Sequence, residues 1–250
     1  MNEIPVFPLQ TVLFPGSSLR LRIFEERYQQ MLRFCLETNQ PFGVVLIRQG
    51  LEVGQDMVRT FSVGCTARID ESVPLGHGWS LIRVTGEERF RILEIPEPIP
   101  YPTARIMMQP LETPPLMETL RETKRLITWV GRYIHLAAVR QGKSIPKSMI
   151  HIPENPLTLI FQAADLLQIP PFEKQALLEV NNAKGLLSEV LRLYRRELSV
   201  DRDLSFSWIN QHELFTDLDK NTRPFPYQWF GEKYRITGRR REETGRRNLN

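Results

Sequence analysis

The sequence is poor in the residues that build disulfide frameworks and metal centres. It contains two cysteines, Cys35 and Cys65, and four histidines among 250 residues. Two cysteines cannot form a disulfide framework or a four-cysteine zinc site, and no His-Glu-x-x-His pair or Cys-His cluster occurs. This usage is typical of a reducing compartment. We therefore expect a cytoplasmic protein that holds no metal ion and no cofactor.

Long apolar runs are also missing. No uncharged apolar segment approaches the roughly 18–20 residues that a membrane helix needs. The first ten residues carry Glu3 and no basic segment, so we expect no secretory signal there. These two absences predict a protein that neither spans nor binds a membrane.

Excess charge is confined to one end of the chain. The formal net charge is +4, and residues 231–250 carry the whole of that excess. The rest of the chain is electrically balanced, so its bulk charge does not call for a nucleic acid or a membrane surface.

Motifs for covalent catalysis and nucleotide binding are absent or weak. No Gly-x-Ser-x-Gly segment occurs, and both cysteines lie in apolar segments that predict inert core thiols. Residues 137–144 match a relaxed phosphate-loop pattern in which Ala137 replaces the first glycine. A long helix precedes them instead of a strand, so we interpret this segment as a helix C-terminus followed by Gly142. We name no catalytic residue and expect a non-enzymatic protein.

What is present in the first 110 residues is a series of short strands and one helix. Residues 24–37 have helical periodicity, with Leu36 on the apolar face and polar residues opposite. Pro5 and Pro8 indicate an edge or irregular strand at residues 4–9. Gly86 is interpreted as a separator between strands. The remaining strand signals lie at residues 19–23, 43–48, 61–69, 79–84, 90–95 and 103–108.

Residues 115–200 predict a helical bundle. A long amphipathic helix follows Pro114 and Pro115, and its apolar residues recur at intervals of three, four and seven. Asn155 followed by Pro156 predicts a helix start. A short helix is expected around residues 172–180, and Asn182 opens the last one. The fold class is therefore α+β.

Residues 201–250 have no clear periodicity and combine aromatic with basic residues. The aromatic side chains either pack across the bundle or contact a partner, since Trp and Tyr are favoured interface anchors. The arginines either bind phosphate groups or form a solvated tail, and we expect the last fifteen or so residues to be disordered. The candidate partner-binding residues are Trp208, Phe225, Tyr227, Trp229, Phe230, Arg239, Arg240 and Arg241.

Four segments together resemble the N-terminal domain of Lon protease, of the peptidase S16 family. Residues 4–32 are similar to its opening, with Ile-Pro, two hydrophobic residues and Pro-Leu, then a Phe-Pro turn and a Phe-Glu-x-Arg-Tyr helix start. Residues 63–69 (VGCTARI) and 81–95 (LIRVTGEERFRILEI) resemble two of its strand motifs. Residues 145–198 resemble the helical part that follows.

The resemblance implies a PUA-like β-barrel, or pseudo-barrel, at residues 1–112 and a helical bundle at 113–200, with 201–250 as an extension. It implies no catalytic residue, because neither the ATPase nor the Ser-Lys protease domain of Lon is recognised. It implies a substrate-binding module in protein quality control, which captures exposed apolar segments of unfolded or damaged client proteins or docks on a protease or chaperone.

An alternative is RNA or other nucleic-acid binding through the barrel and the basic tail. A steep salt dependence of binding would favour that alternative, and a weak one with a negative heat-capacity change would favour apolar peptides.

Overall fold

The computed structural model describes residues 2–50, 58–76, 78–96, 100–112, 116–140 and 152–199. Strands come first in these ranges and long helices follow, which confirms the α+β class. The strands are β1 (Asn2–Leu9), β2 (Ser18–Ile23), β3 (Phe42–Gln49), β4 (Arg59–Gly76), β5 (Trp79–Glu94) and β6 (Thr103–Met108). The helices are α1 (Glu26–Thr38), α2 (Leu116–Arg140), α3 (Pro156–Leu166), α4 (Pro171–Leu178) and α5 (Ala183–Ser199).

The strands form one curled sheet in the order β2-β5-β4-β3-β1-β6. β1 and β3 are parallel, and the other pairs are antiparallel. β6 also pairs with β5, so the sheet bends back toward itself. The Phe90 ring lies inside this curl against Gly64, where an added Cβ would lie 2.6 Å from the ring. Glycine at this position is therefore required by packing.

Of the two alternatives that its prolines predicted, β1 is the irregular strand and not an edge strand. Residues 2–5 pair with β6, whereas residues 6–9 pair with β3. Each half of β1 therefore needs ladder hydrogen bonds mainly on one side, so a proline without an N–H group is tolerated in each half.

β5 is one continuous strand, although two strands separated at Gly86 were predicted. Gly86 lies so close to the backbone of Phe14 that an added Cβ would overlap the Phe14 carbonyl oxygen. The glycine permits this close approach instead of making a turn. β4 likewise continues to Gly76, seven residues beyond the predicted end at residue 69.

The helices behave largely as their patterns predicted. α1 buries Tyr28, Met31, Leu32 and Cys35, but Leu36, which was predicted on the apolar face, is 50% exposed. Leu126, Val130 and Ile134 of α2 join one core with α3 and α5. The Asn155 side chain accepts hydrogen bonds from the N–H groups of Leu157 and Thr158, which confirms its capping role.

The phosphate-loop pattern begins inside a helix. α2 continues to Arg140, so the first four positions of the pattern are helical. Residues 141–144 lie outside the described residues. Among the helices that the structure describes, none combines the length and apolar character that crossing a bilayer requires.

Candidate functional site

The partner-binding residues predicted from the sequence all lie outside the described residues, so they stay predictions. They are Trp208, Phe225, Tyr227, Trp229, Phe230, Arg239, Arg240 and Arg241. The predicted disorder of the last fifteen or so residues, and the domain limits at 112 and 200, stay predictions as well.

The two thiols are buried, as predicted for core cysteines. Burial raises the pKa of Cys35 to about 11 and raises the pKa of Cys65 even more strongly. Neither side chain is therefore an activated thiolate at neutral pH. His135 is exposed on α2, and His77, His151 and His212 lie outside the described residues. In the described ranges, no group of three His, Cys, Asp or Glu side chains is arranged to hold a metal ion.

Large exposed apolar side chains gather on one face of the β4–β5 hairpin. Val73 is 42% exposed, Leu75 48%, Trp79 39% and Leu81 39%. We call these four residues the hairpin surface. Apolar side chains that are grouped and solvent-exposed in this way are typical of binding sites, whereas single exposed ones are ordinary.

The strand geometry explains why these four side chains share a face. Val73 and Leu81 are directly opposite each other, and Gly76 is opposite Trp79. Side chains two residues apart on a strand point to the same side, which adds Trp79 next to Leu81. The pairing shifts register between Pro74 and Gly76, so Leu75 and Gly76 together lie opposite Trp79, which brings Leu75 to the same part of the hairpin. Gly76 and Gly78 have φ angles of 81° and 76°, which suit a tight turn between the strands.

Arginine residues border one side of the hairpin surface. Arg22 of β2 is opposite Leu81, and its guanidinium lies 4.0 Å from the centre of the Trp79 ring. Arg20, two residues away on the same strand, is opposite Arg83, and Arg83 pairs with Glu71 of β4 at 3.3 Å. The apolar surface therefore has a charged border, and it adjoins β2, which pairs with β5 alone among the described strands.

The far end of the same strand pair is fixed to the helices. The buried guanidinium of Arg89 donates from Nη1 to the carbonyl oxygens of Leu178 and Val180, each at 2.6 Å. Burial lowers its pKa. Gln175 of α4 donates to the carbonyl oxygen of Val63 at 3.0 Å. These bonds hold β4 and β5 against the helical part, so the hairpin extends from a fixed base.

The sequence carries a local signal for the hairpin surface. Gly76 and Gly78 flank a single residue, His77, and the apolar residues Val73 and Leu75 alternate with others just before them. Pro74, Glu71 and Asp70 are poor strand residues, so β4 was predicted to end before them. The long antiparallel pairing with β5 overrides those local preferences.

Comparisons with a family model and with solved structures identify the family and the fold of this chain. The sequence model of the ATP-dependent protease La (LON) substrate-binding domain matches residues 3–196. The chain resembles the crystal structure of a Lon N-terminal domain protein from Xanthomonas campestris, with a TM-score of 0.57 and 24% identity over 77% of this chain and 98% of that one. It also resembles the N-terminal domain of Mycobacterium avium complex Lon protease, with a TM-score of 0.53 and 15% identity over 78% and 98% of the two chains.

Curated relatives give the same result. Lon protease 2 of Myxococcus xanthus is 26% identical over 205 residues, which are 79% of this chain and 24% of the relative. Lon protease of Anaeromyxobacter dehalogenans is also 26% identical over 205 residues, which are 79% and 23% of the two chains. The chain thus spans about a quarter of the length of these relatives. Because the family match covers most of its length, the chain belongs to the Lon substrate-binding domain family.

Proposed function

We propose that this protein is a non-catalytic protein-binding module whose hairpin surface recognises exposed apolar segments of client proteins. The observation that carries the proposal is the grouping of Val73, Leu75, Trp79 and Leu81 on one exposed face. Removing such side chains from water on binding is favourable in proportion to the apolar area buried.

The shape of this region suits an extended segment of an unfolded chain. The side chains that β2, β4 and β5 pair across their antiparallel strands form an open face, and Trp79 is the large anchor on it. Arg20 and Arg22 beside it add a positive border that favours clients with acidic residues flanking an apolar stretch. Contacts of this kind need no catalytic group.

The relatives support a role in protein quality control. They are named Lon proteases, and the matching family is named for substrate binding. In our proposal, this protein presents captured clients to a protease or chaperone, or docks on one. We place it in the cytoplasm, because two free and buried thiols suit a reducing compartment.

The test is a binding titration with a fluorescein-labelled peptide in which leucine and serine alternate. We expect the Leu75→Ser/Leu81→Ser variant to bind it about tenfold or more weakly, equivalent to about 1.4 kcal/mol or more. Leu36→Ser is the matched control for the single change Leu75→Ser, because the two leucines are almost equally exposed and Leu36 lies apart on α1. Equal losses in both variants, or no loss in either, would remove the hairpin surface from the proposal.

Salt dependence separates this proposal from the nucleic-acid alternative. Apolar binding should change little with ionic strength, whereas binding to phosphates weakens steeply as salt rises. The arginines behind the alternative, Arg239, Arg240 and Arg241, lie outside the described residues, so that alternative stays a prediction.

A further inference from the structure

A recess lies at the opposite end of the β4–β5 pair from the hairpin surface. It is a cavity of about 470 Å³, and it opens where the curled sheet ends. Its volume falls in the range of small-ligand sites, and such sites often form at the open end of a closed or curled sheet. Its lining comes from the end of β3, the start of β4 and the end of β5, and consists of Arg48, Gln49, Val58, Arg59, Thr60, Phe61, Ser62, Ile92 and Ile95.

Apart from Phe61, the apolar part of this lining is aliphatic. Ile92 packs against the small core that the curled sheet encloses, so its side chain forms a floor. Val58 and Ile95 add further aliphatic surface. The aromatic ring in the lining, that of Phe61, is partly buried against the helical core. The floor therefore suits an aliphatic side chain better than a stacked base.

The charged side chains of the lining are both positive. Arg48 and Arg59 are both exposed, and neither has an ion-pair partner within the described part of the chain. The Arg48 guanidinium lies 6.0 Å from the centre of the Phe61 ring. Arg91, next to the cavity, donates from Nη1 to Ser62 Oγ at 3.3 Å. The acid on this part of β5, Glu94, is paired with Arg105.

We infer that this cavity binds a peptide segment that carries a carboxylate beside an aliphatic side chain. The carboxylate would meet Arg48 and Arg59, whose guanidinium groups match carboxylate geometry. The aliphatic side chain would cover Ile92 and Ile95. The hydroxyl groups of Thr60 and Ser62 supply further polar contacts at the wall. This site is separate from the hairpin surface and goes beyond the proposed function, since neither depends on the other.

The test compares two short peptides with blocked ends, one alternating leucine with glutamate and the other alternating leucine with glutamine. Titrations are made in the full chain and in the Leu75→Ser/Leu81→Ser background, where the contribution of the hairpin surface is weakened. We expect Arg48→Gln/Arg59→Gln to weaken the glutamate peptide about tenfold and to leave the glutamine peptide nearly unchanged. The control is Arg33→Gln/Arg195→Gln, which removes the same charge from two exposed positions away from the cavity.

A second pair of variants tests the cavity without removing an arginine. Ile95→Glu places a carboxylate at the cavity beside the arginines, so it should weaken the glutamate peptide, whereas Ile95→Gln should weaken it less. Ile95 is 42% exposed, so both variants should fold.

Three results would overturn the inference. Equal losses in the two double-arginine variants would indicate general charge attraction. Equal binding of the two peptides would show that no carboxylate is recognised. Tighter binding of oligo-dT with the same dependence on Arg48 and Arg59 would assign the cavity to phosphate. A failure of the hairpin proposal would be seen separately, because the Leu75→Ser/Leu81→Ser variant would then bind the leucine and serine peptide as tightly as the unchanged protein.

Discussion

The two ends of the β4–β5 pair differ in what surrounds their side chains. At the helical end, residues 63–67 of β4 are all buried, and Arg89 and Phe90 of β5 are buried with them. At the hairpin end, every residue of β4 from 68 to 76 is at least partly exposed, and the apolar ones include Val73 and Leu75. The strands are continuous between these two environments.

This difference separates residues kept for stability from residues available for binding. A buried side chain at the helical end contributes to the free energy of unfolding, because its contacts are lost when the chain unfolds. An exposed side chain at the hairpin end contributes little, because it meets water in both states. Substitutions along one strand pair should therefore show a graded loss of stability.

The largest loss of stability is expected for Arg89→Met. The substitution leaves the carbonyl oxygens of Leu178 and Val180 without their buried donor, which should cost about 2–4 kcal/mol. The loss is moderated because Arg89 Nε and Nη2 have no partner in the described structure and disappear too. Urea unfolding measures it, with Arg83→Met as control, because its ion pair with Glu71 is exposed. Equal losses of stability in Arg89→Met and Arg83→Met would contradict the difference between the two ends of the strand pair.

The next largest loss is expected for Gly86→Ala. The added Cβ would overlap the Phe14 carbonyl oxygen and lie 3.0 Å from Leu13 Cγ, so backbone must move, at a cost of about 1–3 kcal/mol. Gly131→Ala is the matched control, since nothing lies within 4 Å of its added Cβ in α2. That control should gain up to about 1 kcal/mol from helix propensity. Thermal unfolding of both variants should therefore give shifts of opposite sign.

The two ends also differ in how well the sequence predicted them. Local patterns identified the core strands, the long helix α2 and the Asn155 cap, because periodicity and capping depend on neighbouring residues. They did not reveal that β1 lies between β3 and β6, or that Gly86 lies within a strand, because both depend on distant segments. The hairpin surface was missed for the same reason: β4 continues past Pro74 because β5 pairs with it.

A small loss is expected for Trp79→Ala. The indole contacts the Arg22 guanidinium and lies 6.2 Å from the Phe24 ring, and these exposed contacts should contribute about 0.5–1.5 kcal/mol. Binding of the leucine and serine peptide should weaken more than this stability change suggests, because Trp79 is the largest side chain of the hairpin surface. A variant that lost stability without losing affinity would make Trp79 a structural residue.

The smallest loss is expected for Leu75→Ser, which should change the free energy of unfolding by less than about 0.5 kcal/mol. Leu75 is 48% exposed and lies one residue before the end of β4, so serine removes little packing. Urea unfolding measures this change, and the peptide titration measures its effect on binding. A loss as large as that of Gly86→Ala would show that Leu75 packs in solution, and the hairpin surface would then be part of the core. Unchanged stability with weakened binding would mean that this leucine serves recognition, because folding does not require an apolar side chain there.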